Sequence, residues 1–338
     1  MRALGWLVRL GLAVLVLLVG LWGGAALWFR GPSGEVVRGA LAGAFALLAI
    51  SAVGALVLGR GRRWVRGFGL AALLVVVWWS TLQPRNDRNW LPDVAQLPTA
   101  TVEGDRLTIR NVRNFDYRSE TDFTPRWEER TYDLSRLRGI DFFLSYWGSP
   151  MIAHTIVSWE FDDGQYLPIS IETRKEQGES YSAVRGFFKE YEVYYVVADE
   201  RDVIRLRSNY RGEQVYLYRL KMPPERARAL LLDYVREINE LAEQPRWYDA
   251  LTHNCTTTIR YHARQVGADN PWNWRILVTG YLDQLGYARG TIDTSLPFAE
   301  LKQRSNITDR AHAADQAADF SQRIRDGLPN PRLTQRPG

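Results

Sequence analysis

The chemistry-bearing residues of this chain are a cysteine, a histidine and a carboxylate that lie far apart in the sequence. Cys255 is the only cysteine in 338 residues. It sits in Thr252-His253-Asn254-Cys255-Thr256-Thr257-Thr258, and residues 259–266 read as helical turns closed by Gly267. A thiol at a helix start is favoured as thiolate, because unpaired N–H groups and the positive end of the helix dipole stabilise the anion. A lone cysteine is more often a small buried apolar residue. Nucleophilic chemistry therefore needs two further groups, a base within reach and a group that holds the base.

Residues 151–161, centred on Ala153-His154-Thr155-Ile156-Val157, are strongly β-type. Asp162-Asp163-Gly164 supplies a turn, and residues 165–174 return as a second strand. If Phe161 pairs with Gln165, His154 falls opposite Glu172, and Ser170 opposite Ile156. Opposed residues share a face, with Cβ atoms about 4.5–5.5 Å apart. The register thus expects an imidazole beside a carboxylate, although a slip of one residue would separate them. The bland alternatives are a satisfied sheet histidine and a solvated glutamate. A histidine left idle in an apolar strand is costly unless hydrogen-bonded. Three other histidines are weaker candidates for the base. His253 is two residues from Cys255, a spacing whose side chains do not face one another. His262 lies about two turns along the helix, and His312 lies in an Ala/Asp-rich stretch. Helix-start N–H groups near Cys255, with the Asn254 amide, are the expected oxyanion donors.

The elements that must position these groups divide the chain into four parts. Residues 1–82 are nearly all apolar or arginine. Uncharged runs cover 10–29 and 39–59, each long enough to span a bilayer, and a shorter one covers 67–82, ending near Trp78 and Trp79. The loop Arg60-Gly61-Arg62-Arg63-Trp64-Val65-Arg66 holds four arginines and no acid, so the positive-inside rule puts it and the N-terminus in the cytoplasm. Three spans then place everything after residue 82 outside. No Asp, Glu, Lys or His interrupts the runs, which reads as an anchor rather than a transport path. A cleaved signal peptide fits poorly, because more spans follow the first. Residues 83–98 read as a linker, 99–300 as an α+β domain, and 301–338 as a polar, partly disordered tail. Within the domain, residues 203–207 read as a strand and residues from Pro223 onward as an amphipathic helix. The net charge of +5 reflects arginines flanking apolar runs and gives no reason to expect nucleic acid. No phosphate-binding glycine loop, metal-ligand cluster or repeat is present, so neither metal nor cofactor is expected.

Five motifs carry a family resemblance: Tyr146-Trp147-Gly148-Ser149-Pro150, Ala153-His154-Thr155, Ser170-Ile171-Glu172-Thr173-Arg174, Ala198-Asp199-Glu200-Arg201-Asp202, and Leu251-Thr252-His253-Asn254-Cys255-Thr256-Thr257. Over roughly residues 90–285 the chain resembles the DUF4105 family, also called the Lnb N-terminal periplasmic domain. That resemblance implies a permuted papain-like, NlpC/P60-like fold with an antiparallel sheet and helices, here preceded by three transmembrane helices. It implies Cys255 as nucleophile, His154 as base and Glu172 as third member. Asn254, Ser170, Tyr146 and Arg174 are the expected supporting residues. It also implies lipoprotein N-acyltransferase activity, passing an acyl chain from phospholipid through a Cys255 thioester to the α-amine of a lipoprotein. The expected location is the inner membrane, multi-pass, with the C-terminal domain in the periplasm. Two rival readings remain: a cysteine hydrolase of cell-wall peptide or lipid ester, acting on peptidoglycan in the first case, and a non-catalytic envelope scaffold.

Overall fold

The computed structural model describes residues 2–32, 34–59, 61–252, 254–268 and 270–332. Arg60 and His253, used above, lie outside the described residues. The chain forms two compact units.

The first unit holds residues 1–85 with 181–191 and 247–249. Its helices are α1 (Arg2–Arg30), α2 (Glu35–Val57) and α3 (Arg62–Thr81). All three are long and apolar enough to cross a membrane. Small residues bring α1 and α2 together. A Cβ on Gly20 would stand 2.7 Å from Ala49 Cβ, and one on Gly23 would stand 2.5 Å from the Phe45 ring. Such close backbone approach is how helices associate where no hydrophobic effect separates them from lipid. Leu15, Leu18, Ile50 and Leu74 point outward. Residues 181–191 form a single short turn at Arg185–Phe187. Phe188 of that segment packs on Phe29 and Trp79, and Lys189 Nζ donates to the Trp79 carbonyl at 3.0 Å.

The second unit is built on a five-stranded antiparallel sheet. Its elements in order are β1 (Thr99–Glu103), β2 (Arg106–Arg113), β3 (Asp116–Tyr117), β4 (Phe123–Thr124), β5 (Trp127–Asp133), β6 (Leu137–Tyr146), β7 (Ala153–Phe161), β8 (Tyr166–Arg174), β9 (Glu192–Val197), α4 (Glu200–Arg205), β10 (Gln214–Arg219), α5 (Pro224–Glu243), α6 (Cys255–Gln265) and α7 (Leu282–Ala288). The large sheet runs β10-β6-β7-β8-β9, and β1-β2-β5 form a smaller one. On one face of the large sheet α5 covers Trp159, whose ring meets Tyr234 edge-on and whose Nε1 donates to the Ala227 carbonyl. On the other face Phe143, Ile156, Val196 and Leu217 form the main core.

Three sequence expectations change. Residues 203–207 are not a strand. Asp199 caps α4, accepting from the Arg201 N–H at 2.8 Å, and a π-helical turn follows over Leu206–Tyr210. The residues of this stretch are buried on all sides, so Val203 and Ile204 show β-type character without the two-residue alternation of a strand. Residues 83–98 are not a loose linker, because Trp90 and Val94 are buried in the main core. Residues 301–332 are not a frayed tail. They form the end of α8 (Phe298–Ser305), then α9 (Thr308–Ala313) and α10 (Phe320–Arg323). Ile307, Ala311, Phe320 and Ile324 join the main core. Buried Arg325 reaches Asp141 and Glu200, each at 2.7 Å. The polar composition hid six main-core residues, those four with Ala314 and Leu328. Residues 333–338 lie outside the described residues.

Candidate active site

The β7–β8 hairpin has the expected register, with Ile156 opposite Ser170 and Gly164 in the left-handed region at the turn. Pairing stops at Ile156–Ser170. Beyond that point β7 stays with β6, where His154 is opposite Ser145, and β8 stays with β9. His154 and Glu172 therefore face each other where the two strands are no longer bonded. Their separation is 3.6 Å. Ser170 fills the space, 2.7 Å from His154 Nε2 and 2.8 Å from Glu172 Oε1.

This arrangement fixes a tautomer. The Ser170 hydroxyl has one proton and donates it to the carboxylate, so it accepts from Nε2–H. Nδ1 is then the basic nitrogen left for the thiol. The start of α6 lies against β7 and β8. Cys255 is partly exposed, so a substrate can reach it. Burial raises the thiol pKa, but hydrogen bonding and charge from His154, with Thr155 and Thr256, outweigh it and bring it down to about 6. Burial and Arg207 push His154 down, while Cys255 and Glu172 push it up, with a net rise. Burial also raises Glu172, yet Arg207 and His154 hold it well below the ordinary carboxylate range. A lowered thiol beside a raised imidazole is a thiolate–imidazolium pair near neutral pH.

Arg207 is a member that sequence reasoning missed, because its stretch read as a strand. It sits on the π-helical turn, buried, and donates to Glu172 Oε1 at 3.0 Å and Glu213 Oε2 at 3.2 Å. Ser145 donates to Glu213 in turn. The chain Cys255–His154–Ser170–Glu172–Arg207–Glu213 thus runs from a partly exposed thiol to a buried ion pair.

Of the expected supporting residues, only Ser170 joins the relay. Asn254 caps α6 instead. Its Oδ1 accepts from the Thr256 and Thr257 N–H groups at 3.0 and 2.9 Å, and its Nδ2 donates to the Ala250 carbonyl at 2.8 Å. Those two N–H groups are therefore not left for an oxyanion, and one of the two Nδ2 protons is taken as well. Arg174 is buried among Val94, Ala95 and Asn86 and lies over the Trp90 ring, so it fastens residues 83–98 rather than the site. Tyr146 donates to the Gly280 carbonyl at 2.8 Å and packs on Tyr216.

His262 is not a second base for Cys255. Its Nδ1 meets Asp233 and its Nε2 meets the Tyr195 hydroxyl, both at 2.6 Å, with the Tyr234 ring 4.1 Å away. Burial lowers its pKa despite Asp233. The trio ties α6 to α5 and β9, about two helical turns along from the thiol. His312 bonds to the Ser208 carbonyl.

Thr155 was quoted in a motif without a role. It is fully buried, and its hydroxyl makes no formed hydrogen bond, although it lies near enough to the sulfur to favour the thiolate. A buried unpartnered hydroxyl costs about 1–3 kcal/mol and calls for a reason. Thr155 and Thr256 both line a cavity of about 290 Å³ whose walls include Val157, Leu230, Ile259 and Leu285. The cavity therefore begins at two threonines next to the sulfur, and beyond them it has an apolar wall together with charged side chains, among them Lys221, Arg226, Arg260 and Arg289.

Residues 123–280 match the family of the Lnb N-terminal periplasmic domain. The match spans the β7–β8 hairpin, the relay and α6, and it is the family that the five motifs resemble. No curated protein and no solved structure matches the chain. The chain thus joins three helices long and apolar enough to cross a membrane to a segment similar to this periplasmic domain.

Proposed function

We propose that the protein is a multi-pass inner-membrane cysteine acyltransferase, moving an acyl chain from phospholipid to the N-terminal amine of a lipoprotein through a thioester on Cys255. The observation that carries this reading is the cavity that begins at Thr155 and Thr256 beside the thiol and has an apolar wall of Val157, Leu230, Ile259 and Leu285. A peptide hydrolase needs a polar cleft there. The hollow of about 490 Å³ lined by Tyr146, Trp147 and Arg211 includes neither Thr155 nor Thr256. A scaffold role gives no account of a partly exposed thiol beside a histidine relay.

In the first half-reaction the thiolate attacks the ester carbonyl. A C–S bond forms, and the carbonyl π pair moves to oxygen. The Thr155 hydroxyl and the Cys255 N–H, which is not taken by the Asn254 cap, are the donors for that oxyanion. Collapse breaks the C–O bond, and the leaving alkoxide takes the proton from His154 Nδ1. In the second half the amine attacks the thioester, His154 accepts its proton, and the C–S bond breaks to restore the thiolate. Ser170 and Glu172 hold the imidazole throughout.

The test is intact-mass measurement of the full chain after incubation with phospholipid. The wild type should gain the mass of one acyl chain, and Cys255→Ala should gain none. An adduct that survives in Cys255→Ala, or a wild type left unmodified by every phospholipid offered, overturns the reading.

A further inference from the structure

Arginines in this domain are mostly matched by acids. Arg113 is paired with Asp202, Arg207 with Glu172 and Glu213, and Arg325 with Asp141 and Glu200. The cavity beside Cys255 departs from that pattern. Lys221, Arg226, Arg260 and Arg289 all line it. Among the described residues none of the four has a carboxylate within ion-pair distance. Arg260 donates to the Asn270 carbonyl, Arg289 to the Pro271 carbonyl and Asn270 side chain, and Lys221 to Thr294 Oγ1 at 3.3 Å. Arg226 is exposed, and no side-chain partner for it exists among the described residues. The acid among the described lining residues is Asp283, and Lys302 already pairs with it at 2.7 Å.

Four uncompensated cations around an apolar wall describe the shape of an anionic amphiphile. We infer that this cavity binds a phospholipid of net negative headgroup, with its acyl chain along Val157, Leu230, Ile259 and Leu285 and its phosphate among Arg226, Arg260 and Arg289. Guanidinium groups bind phosphate oxygens in pairs and carry their charge at every pH a cell meets. A zwitterionic headgroup would bring its ammonium against the same cations, with no free carboxylate to receive it. The cavity therefore selects by repulsion as well as by attraction. The consequence for catalysis rests on the acyl-transfer reading of Cys255, whereas the binding claim does not.

The experiment uses the purified full chain in neutral detergent and native mass spectrometry. Phosphatidylglycerol and phosphatidylethanolamine with identical acyl chains compete at equal concentration, and a third arm offers glycerol phosphate alone. Binding should favour phosphatidylglycerol by roughly tenfold, the weight of one charge-assisted hydrogen bond. The preference should fall to parity in Arg226→Gln with Lys221→Gln, two side chains at the rim, and should reverse in Arg226→Glu. Retained preference in these variants assigns it to the apolar helices and sinks the inference, as does equal binding by the wild type. Glycerol phosphate binding without lipid discrimination shows a phosphate site only and overturns the lipid claim. Selective binding without any acyl adduct leaves the site standing and removes the acyl-transfer reading. Adducts formed equally from both lipids do the reverse.

Discussion

The Ser170 hydroxyl lies 2.7 Å from His154 Nε2 and closer to that ring than the Glu172 carboxylate does. A serine thus transmits the orientation that a direct imidazole–carboxylate pair would otherwise supply. Ser170→Ala should slow acyl-enzyme formation by less than His154→Ala, whose loss is about 10²–10⁴-fold. Single-turnover kinetics with a soluble ester separate the two. Equal losses would mean that Ser170 is part of the base itself, and no loss would mean that Glu172 moves up unaided.

The thiol titrates low because of its neighbour. Alkylation by iodoacetamide should rise with pH around a midpoint of about 6, against about 8.5 for an ordinary cysteine. Below the midpoint the sulfur carries its proton and reacts slowly. His154→Ala removes the leading cause of the shift, so its midpoint should move up. A midpoint unchanged in that variant would separate the two residues electrostatically.

Thr155→Val keeps the shape and removes the unpartnered hydroxyl. Acylation should fall by about 10²–10³-fold, the usual loss for one oxyanion donor. Alkylation well above the thiol midpoint should stay near the wild-type rate, and Thr155→Ser should recover most of the acylation. Parallel loss of alkylation and acylation would reduce Thr155 to a support of the thiolate.

His262 is buried neutral between Asp233 and Tyr195. Its pKa in the fold lies below the unfolded value of about 6.5. The unfolded chain therefore takes up a proton that the fold does not. That contribution to stability is complete above about pH 6.5 and is lost as pH falls through the folded value. His262→Gln should flatten the acid side of a plot of Tm against pH. Tyr195→Phe leaves Nε2 unsatisfied and should cost about 1–3 kcal/mol at neutral pH. Thermal melts across the range test both, and an unchanged acid slope in His262→Gln would contradict the assignment.

Much of the site was legible because hairpin chemistry is local. A glycine-ended turn fixed the register of 154–172 at short range, and the helical turns closed by Gly267 marked α6. Three members were not legible, for different reasons. Ser170 was placed opposite Ile156, but its bridging role depends on β7 and β8 losing contact, which no alternation pattern encodes. Arg207 arrives through a π-helical turn in a stretch whose Val and Ile content suggested a strand. The Asn254 amide was expected at an oxyanion because Asn254 precedes Cys255, yet its oxygen caps α6 and one of its Nδ2 protons goes to the Ala250 carbonyl. The fold showed a similar split. The apolar spans and the long amphipathic α5 announced themselves through composition and period. The C-terminal helices did not, since each is too short for a period and their anchoring charges, Arg325 with Asp141 and Glu200, come from distant parts of the chain.

That last pairing bears on the order in which the protein comes into being. Ribosomal synthesis delivers Asp141, His154, Glu200 and Cys255 well before Arg325. Until then buried Glu200 lacks its counter-ion, Asp141 has only Arg219 of its three arginines, and the face of the sheet formed by Phe143, Ile156 and Leu217 lacks Phe320 and Ile324. The reactive thiol is thus present on a nascent chain whose domain is not yet locked. A chain cut short before Phe320 would therefore lack both the apolar cover of this face and the Arg325 counter-ion.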